Sequence, residues 1–335
     1  MQRSRITGTG SYLPPRVVTN AELAPLVEVT PEWIVERSGI EQRHWVEGSV
    51  TTSDLAHEAS NRALAAAGIE ASDLDMIVLA TISPDHDFPG TACFLQEKLN
   101  APGIPAIDVR QQCSGFVYAL HQADAYVRLG QAERILVVGA EIHSKGIDLS
   151  SRGKDIAVLF GDGAGAVVLE ATASPSPDDS QIMSTHIHSD GSHAKVLWAE
   201  YPSQASPGHR IRIEDIEAGR HFPFMDGKRV FLNAVKRMPE SIDEALKANG
   251  MNLEDIDLFF FHQANLRINE AVAKRMGIAP AKVINTIQRT ANTTAATIPI
   301  CIDSAVQSGQ LRPGMLIACS AFGSGFTWGS ALIRF

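Results

Sequence analysis

The chain matches itself. The stretch "ALAAAGIEASDLDMIVL" (63–79) aligns without gaps on "ALKANGMNLEDIDLFFF" (245–261), so that Ala63, Leu64, Ala66, Gly68, Asp73 and Asp75 recur as Ala245, Leu246, Ala248, Gly250, Asp255 and Asp257. Each copy reads as a helix, a glycine stop, a short loop and a buried apolar strand. A second pair sets "CSGFVYALHQADAYVRLGQ" (113–131) on "NTTAATIPICIDSAVQSGQ" (292–310), anchored by Asp124 and Asp303, Val127 and Val306, and a shared Gly-Gln. A third sets "FGDGAGAVVL" (160–169) against "FGSGFTWGSALI" (322–333). Three matches in one order call for two copies of an α/β unit, 1–175 and 176–335, joined at the Ser/Pro/Asp-rich "TASPSPDDS" (172–180). A chain of 335 residues is long enough to bury the large layered core this implies.

The second match also carries chemistry, because it puts Cys113 and Asn292 at equivalent places. The segment before Cys113, "IPAIDV", is short, apolar and β-branched; after it, Phe116, Leu120, Ala123 and Val127 recur at helical spacing until Gly130. Cys113 therefore opens a helix, where unpaired N–H groups and the positive dipole end favour a thiolate. His262 directly follows the strand "DLFFF", at the carboxyl end where α/β sheets place their ligands. A pseudo-twofold relation between the copies brings the two helix starts together, and Cys, His and Asn then converge. Taken singly, each has a plainer use: a cysteine as a small core hydrophobe, a histidine as a hydrogen-bonded core residue, an asparagine as an N-cap. Their symmetry-related placement favours the joint reading.

Composition narrows the partners. The 44% hydrophobic and 20% charged residues are those of an ordinary soluble globular protein, and a net charge of −9 argues against nucleic acid or an anionic membrane as partner. No apolar run reaches the roughly 18 residues of a membrane span, and "MQRSRITGTG" lacks the apolar centre of a signal peptide, so a cytoplasmic location is expected. Cysteines at 93, 113, 301 and 319 form no CxxC pairs, which points to neither a zinc site nor a disulfide framework. "FGDGAG" lacks the Lys-Ser/Thr of a phosphate loop and runs into a strand, so it reads as a turn.

Seven ordered segments, "GTGSYLP" (8–14), "WIVERSGIEQRH" (33–44), "QCSGF" (112–116), "FGDGAGAVVL" (160–169), "HQANLRI" (262–268), "ANTTAATIP" (291–299) and "FGSGFTWGSALIRF" (322–335), carry a further signal. Together they resemble the β-ketoacyl-acyl-carrier-protein synthase III family of the thiolase superfamily, nearly end to end. The resemblance implies a thiolase-like five-layer αβαβα fold of two pseudo-symmetric halves, normally a homodimer. It also implies that Cys113 takes an acyl group from acyl-CoA while His262 and Asn292 act on the thioester of malonyl-acyl carrier protein, with no cofactor beyond the coenzyme A thioester. Backbone N–H groups of Cys113 and Ser324 are the expected oxyanion donors. By the same resemblance Trp33, Arg37 and Arg152 hold the nucleotide portion of coenzyme A, and Arg267, Lys274 and Arg275 receive the carrier protein, with Lys228 and Arg229 as an extension.

Some positions depart from the family's pattern. Ser324 stands where many members have glycine, "RQQC" replaces a run of small residues, and 190–225 is longer than in compact members. That segment and "SPDHDFPG" (83–90) are expected to line the acyl pocket or to reach it across a dimer, which leaves the primer's length open. Rival readings fare less well. A cysteine peptidase also uses Cys, His and Asn, but the C-G-S-C-W signature is absent and the duplication has no place in it. A non-catalytic partner subunit should have lost its nucleophile. A superfamily acyltransferase remains, as does an acyl-CoA condensing enzyme that works without decarboxylation; the latter needs a carboxylate base, for which Asp85 and Asp87 are the candidates.

Overall fold

The computed structural model describes residues 2–173, 176, 178–206 and 208–335, so the expected joint at 172–180 lies partly outside the described residues. On either side of it stand two five-stranded sheets. The first contains β1 (Arg3–Tyr12), β2 (Met76–Ala80), β3 (Ala106–Val109), β4 (Arg134–Glu141) and β5 (Gly163–Thr172), in the order β1-β5-β4-β2-β3. The second contains β6 (Gln181–Ser189), β7 (Leu258–Phe261), β8 (Val283–Ile284), β9 (Leu316–Gly323) and β10 (Thr327–Arg334), in the order β6-β10-β9-β7-β8. The two orders superimpose strand for strand. In each, the first two neighbouring pairs are antiparallel and the last two parallel.

The helices follow the same duplication. Before β2 and β7 come α1 (Thr52–Ala67) and α4 (Gly227–Asn249); after those strands come α2 (Thr91–Lys98) and α5 (Leu266–Met276); α3 (Gly115–Arg128) and α6 (Thr297–Gln307) complete the halves. Glycine ends α1 and α4 as the repeat requires, Gly68 and Gly250 both being left-handed C-caps. The repeated aspartates also do equivalent work. Asp73 and Asp255 each accept the backbone N–H three residues upstream, Glu70 and Asn252, while Asp75 and Asp257 accept N–H groups at the start of the neighbouring strand, from Arg134 and Leu316.

Period-two alternation sorts the strand residues into layers. Met76 and Val78, with Phe260, Ile317 and Cys319 of the other sheet, face a shared core containing Phe116, Leu120 and Val127 of α3 and Ile298, Cys301 and Ile302 of α6. Ile77 and Leu79 face the opposite way, onto α1 and α2. Phe259 and Phe261 likewise face α4 and α5. The result is helix, sheet, helix pair, sheet, helix: the expected five-layer fold, with α3 and α6 buried as the middle layer. Their burial explains the apolar character of both helices, since each fully enclosed Phe, Leu or Ile contributes roughly 1.5–3 kcal/mol relative to exposure.

Close approach in the middle layer depends on small residues. A Cβ at Gly139 of β4 would lie 2.4 Å from the Ala295 carbonyl, so this glycine lets the approach to α6 rest directly on the first sheet. Glycines of "FGDGAG" pack in the same manner, and Asp162 within it accepts N–H groups from Val46, His143 and Ser144. The motif is thus occupied as a turn. No helix among the described residues is long and apolar enough to cross a membrane.

Candidate active site

Cys113 and Asn292 enter the site through the same backbone device. The residues just before them, Gln112 and Ala291, are aligned by the repeat and both have positive φ, 43° and 56°, unusual for residues with a Cβ. Such conformations cost of order 1–3 kcal/mol and persist where surrounding structure over-determines them. Beyond Gln112 a short 3₁₀ turn (Gln112–Ser114) leads into α3; beyond Asn292 a matching turn (Thr294–Ala296) leads into α6. Asn292 is held on both sides by backbone pairing, its N–H to the Leu159 carbonyl and its carbonyl to the Gly161 N–H. His262 extends β7 by one residue, its N–H donating to Ser320 on β9 at 2.9 Å.

These three side chains line one cavity of about 130 Å³. Its remaining wall is mainly apolar, including Leu197, Met225, Val230, Phe231, Met238 and Phe322. Gly323 closes the cavity beside the thiol: a Cβ there would stand 2.5 Å from Cys113 Cβ and 3.1 Å from its Sγ. The backbone N–H groups of Ser324 and of Cys113 itself face the sulfur and favour its charged form. Ser324 tolerates the replacement of glycine because the positive φ of this turn falls on Gly325, at 134°. The Ser324 hydroxyl donates to the Leu197 carbonyl and so ties the 190–225 segment to the cavity wall.

Burial dominates the electrostatics. It pushes the Cys113 thiol up to about 12, with the Glu141 carboxylate adding to the effect and the two N–H groups opposing it. The helix start therefore does not yield a standing thiolate, contrary to what position alone suggests; the resting group is a thiol. His262 is lowered to about 3 by burial and is uncharged at neutral pH. Glu141, raised to about 7 by the same cause, accepts hydrogen bonds from Thr81, Ile82 and Ser83 and lies near the Ala295 N–H, anchoring the root of the 83–90 loop against the start of α6.

Other expected residues lie around this centre rather than in it. Trp33 and Arg37 share the helix Pro31–Ser38, the guanidinium 5.4 Å from the indole centroid, and the Arg37 carbonyl accepts the amide of Asn265, which lines the cavity. Arg152 lines a second cavity of about 430 Å³, paired with Asp148 at 2.6 Å and set over the Phe222 ring; Met225 lines both cavities. Arg267, Lys274 and Arg275 are exposed on α5, whose buried side is Ile268, Val272 and Ala273. Lys228 and Arg229 are exposed at the start of α4. Asp85 and Asp87 do not line the cavity: Asp85 accepts the Ser53 N–H, and Asp87 pairs with Arg210 from the 190–225 segment. That segment meets the 83–90 loop within one chain and lends Leu197 and Met225 to the cavity.

Sequence reasoning missed Thr294 and Thr297. The Thr294 N–H donates to Asn292 Oδ1 at 2.9 Å, which fixes the flip of that amide and leaves its N–H₂ group for the cavity. Thr297 Oγ1 lies 2.7 Å from His262 Nδ1. Their signal was present in "ANTTAATIP", as two hydroxyls one helical turn apart just after Asn292.

The chain is similar to known proteins along its whole length. Residues 107–191 match the family model 3-Oxoacyl-[acyl-carrier-protein (ACP)] synthase III, and residues 246–335 match its C-terminal counterpart. The chain is 47% identical over 332 residues to the Beta-ketoacyl-[acyl-carrier-protein] synthase III of Xanthomonas campestris pv. campestris, covering 99% of this chain and 98% of that one. It is 48% identical over 337 residues to the protein of that name from Rhodospirillum rubrum, covering all of both. Among solved structures, the 3-oxoacyl-[acyl-carrier-protein] synthase III of Aquifex aeolicus superimposes with a TM-score of 0.89 at 38% identity, over 99% of this chain and 100% of that chain. With a full-length match in sequence and in fold, the chain belongs to the β-ketoacyl-acyl-carrier-protein synthase III family.

Proposed function

We propose that this enzyme starts acyl chains by a decarboxylative Claisen condensation, joining an acyl group from acyl-CoA to malonyl-acyl carrier protein and releasing a β-ketoacyl thioester and CO₂. The convergence of Cys113, His262 and Asn292 in one apolar cavity carries the reading. Cys113 attacks the acyl thioester; the developing oxyanion is held by the N–H groups of Cys113 and Ser324, and the proton lost by the thiol ends on the departing coenzyme A. Loss of CO₂ from the malonyl group then generates the carbanion without a general base. His262 and Asn292 donate to the thioester oxygen as enolate character develops. The carbanion attacks the acyl carbon, the C–S bond to Cys113 breaks, and the thiolate recovers a proton. Purified enzyme given an acyl-CoA and malonyl-acyl carrier protein should release one CO₂ per β-ketoacyl product; product without CO₂, or acyl transfer alone, would favour the non-decarboxylative or acyltransferase alternative.

The surroundings support the remaining assignments. Trp33, Arg37 and Arg152 flank the cavity as a coenzyme A site, an indole for the adenine and guanidinium groups for phosphate. Arg267, Lys274 and Arg275 form the landing surface for the acidic carrier protein, on the helix whose start lies beside the cavity. Reversing all three charges should weaken use of malonyl-acyl carrier protein while acyl-CoA loading changes little, and the difference should shrink at high salt, since exposed charges are screened over roughly 10 Å at 0.1 M. Equal losses toward both substrates would remove the docking role. The halves 1–175 and 176–335 are read as a duplicated unit, the working enzyme as a cytoplasmic homodimer; the outer side of edge strand β3, unpaired among the described residues, fits pairing with a second copy.

A further inference from the structure

The condensation just described needs a donor at His262 Nε2, and an imidazole presents one only in the right tautomer. Which nitrogen carries the proton is set by the hydrogen bond the other makes. Nε2 has no hydrogen-bond partner among the described residues, although His262 lines the cavity and is buried. Nδ1 lies 2.7 Å from Thr297 Oγ1. A hydroxyl either donates or accepts, and this one has two acceptors in reach: Nδ1, and the Thr294 carbonyl at 3.0 Å. The imidazole nitrogen is both the nearer and the more basic.

We infer that Thr297 is a positioning residue that donates its hydroxyl proton to His262 Nδ1 and thereby places the ring proton on Nε2, facing the malonyl thioester. The inference rests on the condensation proposed above and deepens it. One turn then orients both donors: Thr294 sets the Asn292 amide through its N–H, and Thr297 sets the imidazole through its hydroxyl. The turn is itself held in place. Thr294 has a positive φ of 48°, and its Oγ1 lies 2.6 Å from Nε2 of His143, whose ring packs 4.5 Å from that of Phe160. Phe160 in turn bridges to Asn292 through the backbone. Thr297 does not line the cavity that holds Cys113, so its effect should be confined to the step that uses Nε2–H.

The test combines spectroscopy with half-reaction kinetics on the full chain. In ¹⁵N-histidine-labelled enzyme, with the His262 signals assigned by their loss in His262→Ala, the ring is expected to show a protonated Nε2 and an unprotonated Nδ1. A wild-type ring protonated at Nδ1 overturns the inference. Thr297→Val keeps the shape and removes the donor; CO₂ release from malonyl-acyl carrier protein should fall about 10–100-fold, by analogy with the groups that orient a metal-bound imidazole, while acyl loading stays within about threefold. Thr297→Ser, which keeps the hydroxyl, should restore most of the rate. Valine and serine variants that decarboxylate alike overturn the assignment, whether both match wild type or both are equally slow. A wild-type enzyme that loads acyl groups but never releases CO₂ would instead sink the condensation reading, whatever the tautomer.

Discussion

Incubated with acyl-CoA, the wild-type enzyme is expected to gain one acyl mass on the peptide containing Cys113, and Cys113→Ala to gain none and to lose β-ketoacyl synthesis altogether. The alternative thiols are poorly placed for this. Cys301 on α6 and Cys319 on β9 are buried in the core shared by the two sheets, and Cys93 is exposed on α2, away from the cavity. Acylation of any of these in the wild type would overturn the assignment. The same thiol should show an unusual pH dependence. Because burial raises the Cys113 pKa to about 12, the fraction present as thiolate is small at pH 7 and grows about tenfold per pH unit toward alkaline pH. Alkylation of Cys113 by iodoacetamide in the substrate-free enzyme should therefore keep rising through pH 9–10, where an ordinary exposed cysteine has levelled off. His262, held near 3, is uncharged across this range and adds no step around pH 6.5. A plateau below pH 8 would mean that the helix start and the two facing N–H groups outweigh burial.

Much of this architecture was legible because the duplication is written in residues with local tasks. Gly68 and Gly250 end helices, Asp75 and Asp257 tie loops to neighbouring strands, and the helix starts at Cys113 and Asn292 follow from the aligned copies. The Cys113–His262–Asn292 cavity followed from the same symmetry. What stayed hidden depends on distances that no local pattern encodes. Burial of Cys113 raises its pKa, whereas its position at a helix start suggested the opposite, since sequence reveals the dipole but not the low-dielectric wall of Phe322, Met225 and Phe231. Thr297 reads as one more hydroxyl near a helix start until the fold places it, at the start of α6, against His262 at the end of β7. The 190–225 segment gave no period to read: its anchors are single contacts, among them the buried Asp215 carboxylate paired with Arg212 and Arg220.

Those distances bear directly on the second large effect. His262→Ala and Asn292→Ala are each expected to slow condensation about 10²–10³-fold, the usual cost of removing one oxyanion donor, while leaving acyl loading of Cys113 largely intact. The two half-reactions should separate because their donors are different. Loading, as proposed, draws on the N–H groups of Ser324 and Cys113 that face the sulfur, which belong to the backbone and survive both substitutions. Condensation, as proposed, draws on Nε2 of His262 and Nδ2 of Asn292, which do not. The double replacement should cost less than the product of the single losses, since donors acting on one oxygen work as a unit and losing either already misplaces the enolate. Neither change should unfold the chain: His262 leaves behind only the Thr297 hydroxyl, which keeps the Thr294 carbonyl as partner, and Asn292 leaves the Thr294 N–H. Acyl loading followed by mass spectrometry, with CO₂ release measured in parallel, separates the steps. If either single variant fails to load as completely as Cys113→Ala while decarboxylation persists, the pair serves to activate the nucleophile, and the malonyl thioester must find its donors elsewhere in the cavity.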